Sequence, residues 1–171
     1  MNHQIENIQN AEEKLQEADY FLELMNKLDR ENKPLTDNRN YEQEFSYLLS
    51  AFLKACYSVI QILQHEKGTR VEAKSFEYNH KDFYGSGKNG GLRIKTVHFK
   101  LVKPDFCGYV PSNHFILLPY EKYTPSTKFD FRGAFYFDGC NQTVCQMCYL
   151  HLQKIKELIE ICSVSLSRIK K

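Results

Sequence analysis

Apolar side chains recur at steps of three and four along three long stretches of the chain, and each stretch predicts an amphipathic helix. Over residues 3–30 the recurrence runs Ile5, Ile8, Ala11, Leu15, Ala18, Leu22, Met25 and Leu28, with an acidic, amide-rich opposite face. Over residues 40–65 the stripe is wider: Phe45, Leu48, Phe52, Cys56, Val59 and Leu63, with Leu49, Ala55 and Ile60 beside it. Such width predicts a helix at the centre of a bundle. From about 142 to 170, Cys145, Cys148, Leu152, Ile155, Ile159, Cys162 and Leu166 alternate steps of three and four without a miss, the pattern of a bundle seam. Arg168, Lys170 and Lys171 at its carboxyl end complement the helix dipole. Asn32, Pro34 and residues 37–40 separate the first two helices, and Gly68 ends the second.

The middle of the chain reads differently. Residues 69–84 predict a further helix, and Gly85, Gly87, Gly90 and Gly91 then forbid regular structure. Residues 92–102 fit two periods: Ile94, Val97, His98 and Leu101 share a helical face, while Val97, Phe99 and Leu101 alternate as in a strand. Residues 114–118 and 129–137 predict strands, with Pro119, Pro125 and Ser126 supplying turns between them. The expected fold is therefore mainly α: one domain over 1–171, an antiparallel helical bundle with a small antiparallel β insertion at 105–138, before the last helix.

Charge adds a direction to this picture. The net charge is only +2, but residues 1–33 hold four basic and eight acidic side chains, whereas residues 66–139 hold twelve basic and eight acidic ones. Between Asp82 and Asp105 stand Lys88, Arg93, Lys95, Lys100 and Lys103 with no acid among them. Such a patch attracts phosphates; a solvated loop with ordinary lysines is the plainer reading, and both stay open. The amino terminus, Met-Asn-His-Gln-Ile-Glu-Asn, has neither the basic nor the apolar region of a secretory signal. The most apolar run, around Tyr47 to Leu63, is interrupted by Lys54 and Gln61 and reads as a core helix, not a membrane span. A reducing cytoplasm is the expected compartment, with the six cysteines as free thiols.

Candidate chemistry is sparse. Cys140, Cys145, Cys148 and His151 have spacing that suggests zinc, but two of the cysteines continue the apolar seam, where a small thiol is a normal core residue. No metal and no cofactor are expected. The glycine segment 85–91 is not a phosphate-binding loop, because its lysine stands in the wrong place, and it reads as a flexible connector. Arg93 and His98 remain. A guanidinium holds phosphate through parallel hydrogen bonds, and an imidazole moves protons near neutrality. Together they suit RNA cleavage at the ribose 2′-hydroxyl, with Lys88, Lys95, Lys100 and Lys103 as nucleic-acid contacts. Five residues apart is about 140° around a helix and opposite faces of a strand, so one chain does not stack the pair. A two-fold homodimer brings two copies to one cleft. On spacing alone, a surface arginine and a packing histidine is the plainer account.

The order of elements resembles the HEPN superfamily of bacterial helical-bundle proteins, and among them the small members of about this length. The likeness is carried by residues 41–59, by Ala18-Asp19-Tyr20-Phe21-Leu22 before them, and by Cys148-Tyr149-Leu150-His151-Leu152 in the closing helix. It covers most of the chain, largely as hydrophobic patterning. Many members are metal-independent ribonucleases, toxins or phage-defence proteins, with an arginine followed four to six residues later by histidine. The resemblance thus implies catalysis by Arg93 and His98, RNA as substrate, and a cognate antitoxin or other protein partner. Two departures stand out: Ile94 follows the arginine where those enzymes often have a polar residue, and glycines precede the motif. Inactive members serve as binding modules, so a non-catalytic helical module that uses residues 88–103 to bind a protein or nucleotide is the alternative.

Overall fold

The two longest amino-terminal helices form because their apolar stripes match the helical period, and they bury those stripes on each other. In the computed structural model, which describes residues 2–31, 33–86, 90–94, 105–110, 116–117, 133–137 and 142–169, α1 spans Asn2–Glu31 and α2 spans Tyr41–His65. The connection between them turns α2 back along α1. Asn40 caps α2, its side-chain oxygen accepting from the Gln43 amide at 2.8 Å. Glu44, one turn in, is buried and accepts from the Thr36 amide at 2.9 Å, the Leu35 amide and the Thr36 hydroxyl. Burial alone would raise its carboxyl pKa, but the Thr36 hydroxyl, the two amides and Arg39 outweigh it and hold the pKa below its ordinary value.

The last helix, α6 (Val144–Ile169), closes the core against α1. Thr143 and Gln146 start it as a reciprocal capping box, each amide donating to the other's side chain at 3.1 Å. Its predicted seam is buried throughout, from Cys145 to Leu166, and so are the predicted stripes at Ala11, Ala18, Leu22, Met25 and Leu28 of α1 and Phe45, Phe52, Cys56, Val59 and Leu63 of α2. Each fully buried Val, Leu, Ile, Phe or Met side chain among them contributes about 1.5–3 kcal/mol. The chain is mainly helical, compatible with a helical bundle. By length and composition α2 could also cross a membrane, with a mean hydropathy of 1.4, but its stripe is packed within the core.

The helix expected over 69–84 is divided. α3 spans Arg70–Asn79 and α4 spans Lys81–Tyr84. The break falls at His80, whose φ of -118° and ψ of 53° leave the helical region. Its ring nitrogen Nδ1 bonds the Phe76 carbonyl at 2.8 Å, so a side chain competes for that carbonyl. Thr69 joins α2 to α3, its buried hydroxyl donating to the Leu63 carbonyl at 2.6 Å. Ser165 of α6 donates to Glu72 of α3 at 3.1 Å, which ties the two helices.

After a short turn, α5 (Leu92–Ile94), come strands β1 (Asp105–Val110), β2 (Ile116–Leu117) and β3 (Gly133–Tyr136), in the order β2-β1-β3. Both pairings are antiparallel, with Tyr109 opposite Leu117 and Phe106 opposite Phe135. Most of 105–138 lies outside the described residues, as does 95–104, so the helix-or-strand alternative for 92–102 is met only by the helical turn at 92–94. Phe135 is fully buried and stacks on Phe45 with ring centroids 3.9 Å apart, fixing β3 to the helices. Beside it, Asp29 near the end of α1 bonds the Cys145 side chain and the Phe135 backbone. Burial dominates and raises its pKa to about 6, against the lowering effect of those bonds.

Candidate functional site

Gly85 and Gly91 set the position of Arg93. The Gly91 amide donates to the Gly85 carbonyl at 2.8 Å, and a side chain on Gly91 would meet the Phe83 carbonyl carbon at 2.4 Å. A Cβ on Gly85 would lie 2.5 Å from the Lys81 carbonyl oxygen. Only glycine permits these backbones to touch. The segment expected to be a loose connector is therefore tied at both ends, and α5 leaves it directly.

Arg93 is half-buried, its guanidinium carbon 3.6 Å from the centre of the Tyr57 ring on α2. At that distance the ring quadrupole attracts the cation. Tyr57 is itself held, its hydroxyl donating to Glu77 at 3.3 Å, while Gln64 donates to the other Glu77 oxygen at 2.6 Å. Burial first, then the Glu77 charge, raises the Tyr57 pKa, and Arg93 pulls it back. Arg93 thus sits on a fixed aromatic ledge rather than on a solvated stalk.

Behind the ledge lies an aromatic–histidine cluster. Tyr84, from α4, packs 5.6 Å from Tyr57 and bonds His151 Nε2 of α6 at 2.5 Å. Phe83 stacks on the His151 ring at 3.8 Å with only 6° between planes, and His80 meets it edge-on at 5.4 Å. Burial, then His80 and Lys154, lower the His151 pKa to about 3. Burial also raises the Tyr84 pKa well above its ordinary value. The phenol is therefore the donor and the neutral imidazole the acceptor, which places the ring proton on Nδ1, a buried atom without a hydrogen-bond partner among the described residues. A phenol and an imidazole so fixed do not exchange protons near neutral pH, so this pair braces α4 against α6.

Of the residues the sequence singles out, the structure places Arg93 beside Tyr57. His98, Lys88, Lys95, Lys100 and Lys103 lie outside the described residues, as does Cys140. Cys145 and Cys148 pack in the core, where burial pushes both thiols up, and His151 faces Tyr84 rather than the cysteines. Among the described residues no three Asp, Glu, Cys or His side chains converge to hold a metal ion. Tyr57, Glu77 and Tyr84 were not singled out by sequence. They flank the apolar stripes, and only packing brings them to Arg93. No family model, no curated protein and no solved structure matches this chain.

Proposed function

We propose that the chain is a HEPN-type helical bundle, with residues 105–138 as a β insertion, acting as a metal-independent endoribonuclease in the cytoplasm. The observation that supports this reading is the seating of Arg93 on Tyr57, which holds its guanidinium in a defined position. The arginine–histidine spacing supplies the second group. His98 of one protomer takes the proton of the ribose 2′-hydroxyl as that oxygen attacks phosphorus. The bond to the 5′-oxygen breaks, and the second His98 of a homodimer gives that oxygen its proton. Arg93 offsets the added charge on the phosphorane, and Lys88, Lys95, Lys100 and Lys103 hold the flanking strand. A toxin or phage-defence role, with a cognate antitoxin as partner, accompanies this reading.

A second reading is a non-catalytic module that binds a protein or nucleotide through residues 88–103. It is favoured by the contact of the guanidinium with Tyr57, which also serves as packing. Incubation with mixed structured RNA in EDTA separates the two. The enzyme reading expects cleavage by wild type, loss on His98→Ala, and a fall of about 100-fold on Arg93→Lys, whose point charge lacks the planar fork. An intact RNA pool with wild-type protein leaves the binding module.

A further inference from the structure

Arg93 does not stand alone on its side of the molecule. Through Tyr57 and Glu77 it adjoins a groove of about 610 Å³, lined by Gln64, Lys74, Glu77, Tyr78, Lys81 and Tyr84 among others. Lys74 and Tyr78 stand one turn apart on α3, and Lys81, past the break at His80, lines the same groove from α4. Tyr78 is 67% exposed, and the Lys81 ammonium lies 3.8 Å over its ring. Glu77, the half-buried acid of the groove, accepts from Tyr57 and Gln64, while Lys74 and Lys81 are exposed. Tyr78 is the opposite of a core aromatic: the Lys81 ammonium lies over one face of its ring, and the rest of the exposed ring offers a stacking surface beside that cation.

We infer that this groove is a subsite for single-stranded RNA, in which a base stacks on Tyr78 and Lys74 and Lys81 take the adjoining phosphates, leading the strand to Arg93. The inference rests on the ribonuclease reading for the site it feeds. An unstacked base fits an exposed ring with lysines in the same groove, whereas duplex RNA keeps its bases within the helix. An acidic peptide would use the lysines and leave the ring idle, which makes Tyr78 the discriminating residue.

Fluorescence anisotropy with a 2′-O-methyl oligonucleotide of about a dozen nucleotides measures binding alone, because that probe lacks the attacking hydroxyl. Wild type binds it, and binds a duplex of the same sequence more weakly. Tyr78→Ala weakens binding by about five- to 150-fold, and Tyr78→Phe keeps it. Lys74→Gln combined with Lys81→Gln lowers the salt slope of log K by about 1.4, near 0.7 per phosphate contact. Lys74, Tyr78 and Lys81 are exposed, so circular dichroism and the melting temperature of these variants stay at wild-type values. Wild-type affinity in Tyr78→Ala, an unchanged salt slope, no binding by wild type, or equal competition by a polyglutamate peptide overturns the subsite. Binding that follows this pattern without cleavage of ordinary RNA would remove the ribonuclease reading and leave the groove. Cleavage that is indifferent to Tyr78 would do the reverse.

Discussion

His151 is two residues in one. As an aromatic ring it fills the space between Phe83 and His80, and as a base it is forced to stay neutral. Its pKa falls from 6.5 to about 3 in the fold, so between those values the unfolded chain binds more protons. The stability it contributes is complete above about 6.5 and drains away as pH falls toward 3, by up to about 1.4 kcal/mol per pH unit. Asp29 acts in the opposite sense. Its pKa is raised from 3.8 to about 6, so the folded state binds the extra proton, and stability is lost as pH rises through that range. Between about 4 and 6 the two groups nearly offset each other in the wild type. Urea unfolding of His151→Gln, whose amide oxygen still accepts from Tyr84, isolates one of them. The difference in unfolding free energy from wild type should shrink steadily as pH drops below 6.5. A difference that is constant with pH would mean His151 is protonated alike in both states.

Elements in this protein are specified by different kinds of signal. The long helices were legible because a 3.6-residue period persists over about five to six turns, and every seam residue of α6 is buried where the period puts it. The division between α3 and α4 was not legible, because it depends on His80 reaching back to the Phe76 carbonyl. The candidate site was legible only at Arg93; Tyr84 and His151 are 67 residues apart, and periodicity carries no information across that gap. Glycine spacing was legible as a break but not as a closure. Gly91→Ala should destabilise the protein by about 1–3 kcal/mol, since the Phe83 and Tyr84 backbones must move aside. It should also weaken any RNA activity beyond the loss of folded protein, because Arg93 stands two residues on. Unchanged melting would show that the 2.4 Å approach relaxes freely. At the start of α2, Glu44→Gln replaces an all-acceptor carboxylate with a group that has one acceptor, and unfolding free energy should fall by about 1–3 kcal/mol. Because the Glu44 pKa is lowered, that loss should be full at neutral pH and fade as acid protonates the wild-type carboxyl below 4.5. A loss equal at pH 7 and pH 3 would contradict it.

At the scale of the molecule, charge would decide how copies meet in the proposed homodimer. Residues 1–33 are net acidic, and the run from Lys88 to Lys103 holds five cations. A two-fold interface near that run would gather ten of them, which repel unless salt or polyanion is present. Dimerisation should therefore strengthen with ionic strength and with RNA, the reverse of an interface built on ion pairs. Light scattering across a salt series reads this directly, and a monomer under every condition would remove the composite site. The acidic face of α1 offsets part of the repulsion if it lies close by.

The tie between Gly85 and Gly91 has a use for those who would modify the protein. A hydrogen bond of 2.8 Å joins Gly91 to Gly85, so an insertion between them lengthens a loop whose two ends are already held together. Each doubling of such a loop adds only about 0.6 kcal/mol of closure entropy. A tag, a dye site or a small domain can therefore be spliced between residues 86 and 90 while both glycines are kept, and the chain re-enters at Leu92 in its original register.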